Sequence, residues 1–191
     1  MSFKIDKSKT ALVVIDLQKG IVARDTKPHP SSLVVENAKK LAEQFRKLEM
    51  QVFLVHVTFS KDGKDRLNPI TDNQQPMSTP PSDWAEFVPD IGPKPRDYII
   101  TKRNWGAFYG TDLELQLRRR GINTIVLLGI STNFGVESTA RFAYEMGFNI
   151  VFVEDATASF SVESHNFPFQ NIFPRIGIVR KTGDILDSLN K

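Results

Sequence analysis

The sequence predicts an α/β protein: a mostly parallel sheet of about six strands, with helices on both faces. Three observations lead there. Short apolar runs rich in β-branched residues alternate along the chain with amphipathic helical patterns. Runs such as ALVVI (Ala11 to Ile15) are apolar at every position, as a strand covered on both faces must be. The length, 191 residues, suits one domain with a sizeable core.

TALVVIDL (Thr10 to Leu17) is the first strand, interrupted near its end by Asp16. In SSLVVENAKKLAEQFRKLE the apolar positions Leu33, Val34, Ala38, Leu41, Ala42 and Phe45 have helical spacing, and Ser31 or Ser32 is expected to cap the start. QVFLVHV (Gln51 to Val57) is the second strand. From Thr58 to Arg96 the character changes. Seven of the eleven prolines lie here (Pro69, Pro76, Pro80, Pro81, Pro89, Pro93 and Pro95), a density incompatible with a long helix or a central strand. Such an excursion serves as a lid, binding loop or oligomer contact, with a short helical turn expected at DWAEF (Asp83 to Phe87). DYIITK (Asp97 to Lys102) is the third strand, and TDLE (Thr111 to Glu114) has the form of a capping box opening a helix to Arg120. NTIVLLG (Asn123 to Gly129) is the fourth strand, Gly135 to Gly147 a helix, and NIVFVED (Asn149 to Asp155) the fifth strand. A helical stretch from Val162 to Phe173, interrupted by Pro168, precedes a last strand (Arg175 to Arg180) and a last helix (Gly183 to Asn190).

Composition removes several classes of function. The net charge of +3 is mild, and the one dense basic cluster, Arg118 to Arg120, stands at a helix end where cations are favourable. No nucleic-acid partner is expected, since no aromatic residues interleave with basic ones. No apolar run is long enough to span a bilayer, so no membrane partner is expected. The absence of a signal-peptide pattern points to the cytoplasm. The chain has no cysteine, hence no disulfide, thiolate metal site or catalytic thiol.

In parallel α/β sheets the ligand crevice lies beyond the carboxyl ends of the strands. The candidates there are Asp16, His56, Lys102, the turn from Gly129 to Gly135, and Asp155. Singly, each has an ordinary structural reading. Asp16 is then a hydrogen-bonding strand end, Lys102 a solvated lysine, His56 a satisfied core histidine and Asp155 a helix cap. Together, a partly desolvated carboxylate and an ammonium at one sheet mouth suit proton transfer. The sequence leaves open whether burial or the lysine dominates the acidity of Asp16.

ALVVIDLQKG, TKRNWGAFYGTDLELQLRRRGI, LLGISTNFGVESTARFAYEMGF and VFVEDATAS, in that order, resemble the successive motifs of the isochorismatase-like hydrolases, a branch of the cysteine hydrolase superfamily. The resemblance spans most of Thr10 to Ser159 and fades through the proline-rich excursion. It implies a Rossmann-like three-layer sandwich, a single hydrolase domain over residues 1–191, and an Asp–Lys–Cys triad. Carried over, the triad aspartate is Asp16, the lysine is Lys102, and the cysteine position falls on Gly135. It also implies a non-proline cis peptide at Ile130–Ser131. A glycine cannot attack a carbonyl. The true isochorismatases also work without the cysteine, cleaving a vinyl ether to pyruvate and a dihydroxy-cyclohexadiene carboxylate by protonation at carbon and capture by water. The expected function is therefore hydrolysis of a small anionic metabolite with Asp16 as general acid, and with backbone N–H groups of the turn holding an oxygen. A non-catalytic small-molecule binder and an amidase using another nucleophile (Ser131, Thr132 or Ser138 being nearby hydroxyls) stay open.

Gln18, Arg103, Trp105, Phe108, Ser131 and Phe134 are the expected substrate-binding residues. The Asp-x-His…His pattern of the nicotinamidases is missing after FLVHV, and only His29, His56 and His165 exist, so no metal is expected. No Gly-x-Gly-x-x-Gly follows the first strand, so no dinucleotide cofactor is expected either. A homo-oligomer is expected from the resemblance.

Overall fold

A computed structural model describes residues 4–73 and 80–191. Pro76 therefore lies outside the described residues. Six strands, β1 (Thr10–Ile15), β2 (Gln51–Val57), β3 (Tyr98–Lys102), β4 (Thr124–Ile130), β5 (Asn149–Ala158) and β6 (Ile178–Arg180), form one sheet in the order β3-β2-β1-β4-β5-β6. Every pairing is parallel. The order reverses between β1 and β4, so the switch point of the doubly wound sheet lies at the carboxyl ends of these two strands.

The alternation of side chains along β1 sorts the core into two layers. Leu12 and Val14 pack with α2 (Ser31–Lys47) and α7 (Thr182–Leu189) on one face. Ala11, Val13 and Ile15 pack on the other face, with α3 (Leu113–Arg119), α4 (Glu137–Glu145) and α6 (Phe173–Ile176). Both faces are dry, and this is the physical reason the run is apolar throughout. Among the described residues no helix is long and apolar enough to cross a membrane.

Several local expectations change. β1 stops at Ile15 because Asp16 turns into the left-handed region (φ 54°), and the chain enters a one-turn helix, α1 (Lys19–Val22). Neither serine caps α2: Pro30 holds the N-cap position and Ser31 is already helical. The capping box at Thr111 does not form, since the N-cap is Asp112, whose side chain makes no cap bond to the helix backbone, while Thr111 Oγ1 accepts from Leu113 N–H and donates to the Ala107 carbonyl. Asp83 to Phe87 forms turns and one bridge to Gln18 in place of a helix. The fourth crossover enters α4 through a π-helical turn, Thr132–Val136, and α5 (Val162–Phe167) is joined to α6 by another, Pro168–Ile172. β5 runs past Asp155 to Ala158 because its register slips. Leu127 pairs with Phe152 but Gly129 with Thr157, so residues bulge out between them. Gly129 itself takes φ +126°, and a Cβ there would stand 2.1 Å from the Ile15 carbonyl oxygen, so a glycine is required where β4 closes on β1.

Candidate active site

Along β3, Ile100 and Lys102 share a face by the two-residue repeat, so Lys102 continues the buried row begun by an apolar neighbour. Its ammonium lies under the sheet mouth, 2.8 Å from Asp16 Oδ2 and 3.1 Å from the Asn104 carbonyl oxygen. Both partners are buried, Lys102 at 2 % exposure and Asp16 at 6 %. Burial pushes the Asp16 carboxyl up to about 6, against the opposing ammonium of Lys102. Desolvation therefore outweighs the lysine. Asp16 Oδ1 has no hydrogen-bond partner among the described residues, while Oδ2 is engaged by Lys102, so Oδ1 is the oxygen that carries a proton in the acid form.

Gly135 faces this pair from the π-helical turn after β4. A Cβ built on it would stand 3.2 Å from Asp16 Oδ2 and 2.8 Å from Ile15 Cγ2. With no side chain at Gly135, the turn lies directly against Ile15 and the carboxylate, and it presents backbone alone to the cleft. The Ile130–Ser131 peptide at the head of the turn is cis, as the resemblance implies. Thr139 Oγ1 donates to the Gly135 carbonyl and accepts from Ala107 N–H, tying the turn to the segment after β3. The N–H groups of Phe134 and Val136 are directed inward to the Ser131 carbonyl, so these two do not form an oxyanion cradle.

Asp16, Lys102 and Gly135 line a cleft of about 440 Å³ together with Arg103, Trp105, Ser131 and Phe134. Trp105 and Phe134 meet edge to face, ring centroids 4.8 Å apart, and both are exposed at the rim. Arg103 lines the cleft while its Nε holds Asp65 at 2.6 Å. The sequence reading missed Arg24 and Arg66, which also line it. Arg24 lies over the Phe160 ring, 3.5 Å from its centroid. Isolated arginines in irregular segments carry no periodicity or motif, so no sequence signal marks them. Four basic residues thus line the cleft, Lys102 paired with Asp16 and Arg103 with Asp65.

Two expected binding residues lie elsewhere. Phe108 is buried against Phe148, ring centroids 5.7 Å apart, and belongs to the core. Gln18 is fully buried and does not reach the mouth: its amide donates to the Val57 carbonyl at 2.9 Å and accepts from Val57 N–H at 2.8 Å. It clamps the end of β2 to the chain leaving β1. Gln18→Ala leaves both Val57 groups unpaired and is expected to cost about 1–3 kcal/mol in denaturant unfolding while KM stays within twofold. A KM effect without a stability loss would return Gln18 to the binding surface.

The other strand-end candidates are structural. His56 is satisfied at both ring nitrogens, by the Ala85 carbonyl and by Thr101 Oγ1. Asp155 Oδ1 accepts from the N–H and hydroxyl of Thr182 at the start of α7.

Residues 10–184 match the family model described as the isochorismatase domain. The chain is 54 % identical over 190 residues to an uncharacterized isochorismatase family protein of Bacillus subtilis, YwoC, covering 98 % of each chain. It superposes with a TM-score of 0.94 and 42 % identity on an isochorismatase family protein from Burkholderia thailandensis, covering 98 % of each. A more distant neighbour is the N-carbamoylsarcosine amidase of Thermoplasma acidophilum, with 28 % identity, a TM-score of 0.76, and 91 % and 96 % coverage of this chain and that one. The parallel six-stranded sheet, the buried Asp16–Lys102 pair at its switch point and these matches lead to one assignment: the chain belongs to the isochorismatase family of hydrolases.

Proposed function

We propose that the protein hydrolyses a vinyl-ether or related bond in a small anionic metabolite, with Asp16 as the general acid and no covalent intermediate. The observation that carries this reading is the buried carboxyl of Asp16, raised to about 6, beside the bare backbone at Gly135. An acid of that strength holds a useful fraction of its proton near neutral pH and still releases it in the transition state. Protonation of the methylene carbon of an enol ether gives an oxocarbenium ion, which water captures; the resulting hemiketal collapses to pyruvate and the freed alcohol. Gly135 lines the cleft beside Asp16 with backbone alone, so substrate or water meets no side chain where the superfamily amidases place sulfur. Lys102 uses two of its three protons on Asp16 and Asn104, and the third is available to a substrate oxygen. Arg24, which lines the cleft, supplies charge for a substrate carboxylate, and Trp105 and Phe134 an apolar wall.

The test is incubation of purified protein with isochorismate and with simpler enolpyruvyl ethers, followed by pyruvate release. Sustained release that depends on Asp16 is expected. Saturable binding without turnover would favour a binding protein that lost its chemistry. Similarity to an amidase favours a second reading, amide hydrolysis on a hydroxyl such as Ser131, which lines the same cleft. A covalent acyl adduct in intact-protein mass spectra after incubation with N-carbamoyl compounds would support it.

Adding a side chain at Gly135 tests the role of the bare turn separately. In Gly135→Ala the new Cβ would stand 2.8 Å from the buried Ile15 Cγ2 and 3.2 Å from Asp16 Oδ2, so Ile15 or the turn must shift, and cooperative unfolding of the variant is checked first. The methyl group presses on Ile15 and on the Asp16 carboxyl, and misplacing the acid is expected to lower kcat/KM about 10²-fold. Unchanged kcat/KM would show that the reaction does not depend on the bare backbone at Gly135.

A further inference from the structure

Behind the turn that carries Gly135, three side chains from distant parts of the sequence converge: His29 from the segment between α1 and α2, Glu154 from the bulge of β5, and His165 from α5. His29 Nε2 lies 2.7 Å from Glu154 Oε1, His165 Nε2 lies 3.5 Å from the same oxygen, and the three donor atoms all fall within 4.8 Å of one another. None of the three lines the Asp16 cleft. His165 is 1 % exposed, and its Nε2 is buried with no hydrogen-bond partner among the described residues. Its other ring nitrogen, Nδ1, is held by Thr132 Oγ1 at 2.9 Å. A buried imidazole with one nitrogen fixed by a hydroxyl and the other directed at a carboxylate and a second imidazole has the arrangement of a metal-ligating histidine with its outer partner.

We propose that His29, Glu154 and His165 form a binding site for a divalent transition-metal ion of the zinc class. Two imidazoles and one carboxylate are a donor set that such ions accept, with bonds of about 2.0–2.2 Å, which places the donors roughly 3.3 Å apart. The His165–Glu154 separation of 3.5 Å already meets this, and the two imidazoles, within 4.8 Å at their donor atoms, close on the ion by movement of the partly exposed His29. The His29–Glu154 pair opens by about half an ångström, which both side chains can do because each is partly exposed. The ion staples the loop bearing His29 and the bulge of β5 to α5. Through Thr132 it braces the first residue of the turn that presents Gly135. The site is structural: it supports the floor of the cleft from behind and contributes no group to the reaction. The missing nicotinamidase pattern after β2 does not bear on it, because His29 and Glu154 are 125 residues apart and come together only in the fold.

The test is titration of untagged, chelator-treated protein with Zn²⁺ by calorimetry, and with Co²⁺ by visible absorption. One ion per chain, a tetrahedral Co²⁺ spectrum and a raised melting temperature are expected. His29→Ala and Glu154→Gln are expected to weaken binding at least a hundredfold, and Thr132→Val, which removes only the outer hydrogen bond, about 10–100-fold. His29 is partly exposed, so His29→Ala keeps the test valid if Glu154→Gln folds poorly. Failure of the wild type to take up one ion, or equal affinity in wild type and His29→Ala, overturns the proposal. Pyruvate release is read separately, so either assignment can fail without the other.

Discussion

Asp16→Asn is expected to lower kcat for vinyl-ether cleavage by about 10²–10⁴-fold while the protein still unfolds cooperatively. The asparagine is isosteric, and its amide oxygen still accepts from Lys102 Nζ, so the geometry of the cleft survives. It tolerates the left-handed backbone at this position (φ 54°), which alanine does not, so Asn is the clean substitution. What it lacks is a proton to give. A variant that keeps activity within tenfold of wild type would remove Asp16 from the mechanism. The same substitution changes the pH dependence of stability. The folded-state value of about 6 lies above the ordinary 3.8, so the folded protein binds this proton more tightly than the unfolded chain does. That contribution is fully present below about pH 4 and is lost as the pH rises through about 6. Its absence in Asp16→Asn is readable as a flatter stability profile between those values.

Lys102→Met carries the largest expected loss of stability. It replaces the ammonium with an apolar chain of similar length and leaves Asp16 buried without its counter-ion. Breaking a buried pair from one side costs about 3–5 kcal/mol, because the remaining charge is uncompensated. The loss is conditional on that charge. At pH 8 the wild type holds an ionised Asp16 paired with Lys102, whereas the variant must bury that charge alone or take up a proton, so the cost is greatest there. At pH 5 the carboxyl is protonated and most of the penalty disappears. Urea unfolding at the two pH values reads this directly, and the double variant Asp16→Asn, Lys102→Met is expected to recover much of the stability at pH 8. An equal loss at both pH values would mean that Lys102 acts through packing and that the pair is not electrostatically coupled.

The sheet was legible because each central strand is apolar on consecutive residues, a pattern that only a strand covered on both faces sustains. Asp16 was legible for the complementary reason, as a single charge closing such a run, and Lys102 as the charge that ends the edge strand β3, where burial alternates. The end of β5 was not, because a bulge that carries a strand past Asp155 leaves no periodic trace. Gln18 misled because a polar residue beyond a strand end looks the same whether it faces substrate or binds backbone; only the Val57 contacts distinguish the two. Phe108 shows the same ambiguity for an aromatic residue beside a site, and its burial against Phe148 resolves it. His29, Glu154 and His165 were invisible together because proximity created by a crossover is not encoded in spacing.

The central claim is that a buried carboxylic acid does by proton donation what a thiol does elsewhere in the superfamily. Its most direct test is the pH dependence of kcat for enolpyruvyl-ether hydrolysis, measured side by side for wild type and Asp16→Asn. The expected wild-type rate is high below about pH 6 and falls tenfold per pH unit above it, following the acid form of Asp16, while the variant is slow and lacks that limb. A wild-type rate that rises through pH 6, or a variant that reproduces the wild-type limb, would contradict the assignment.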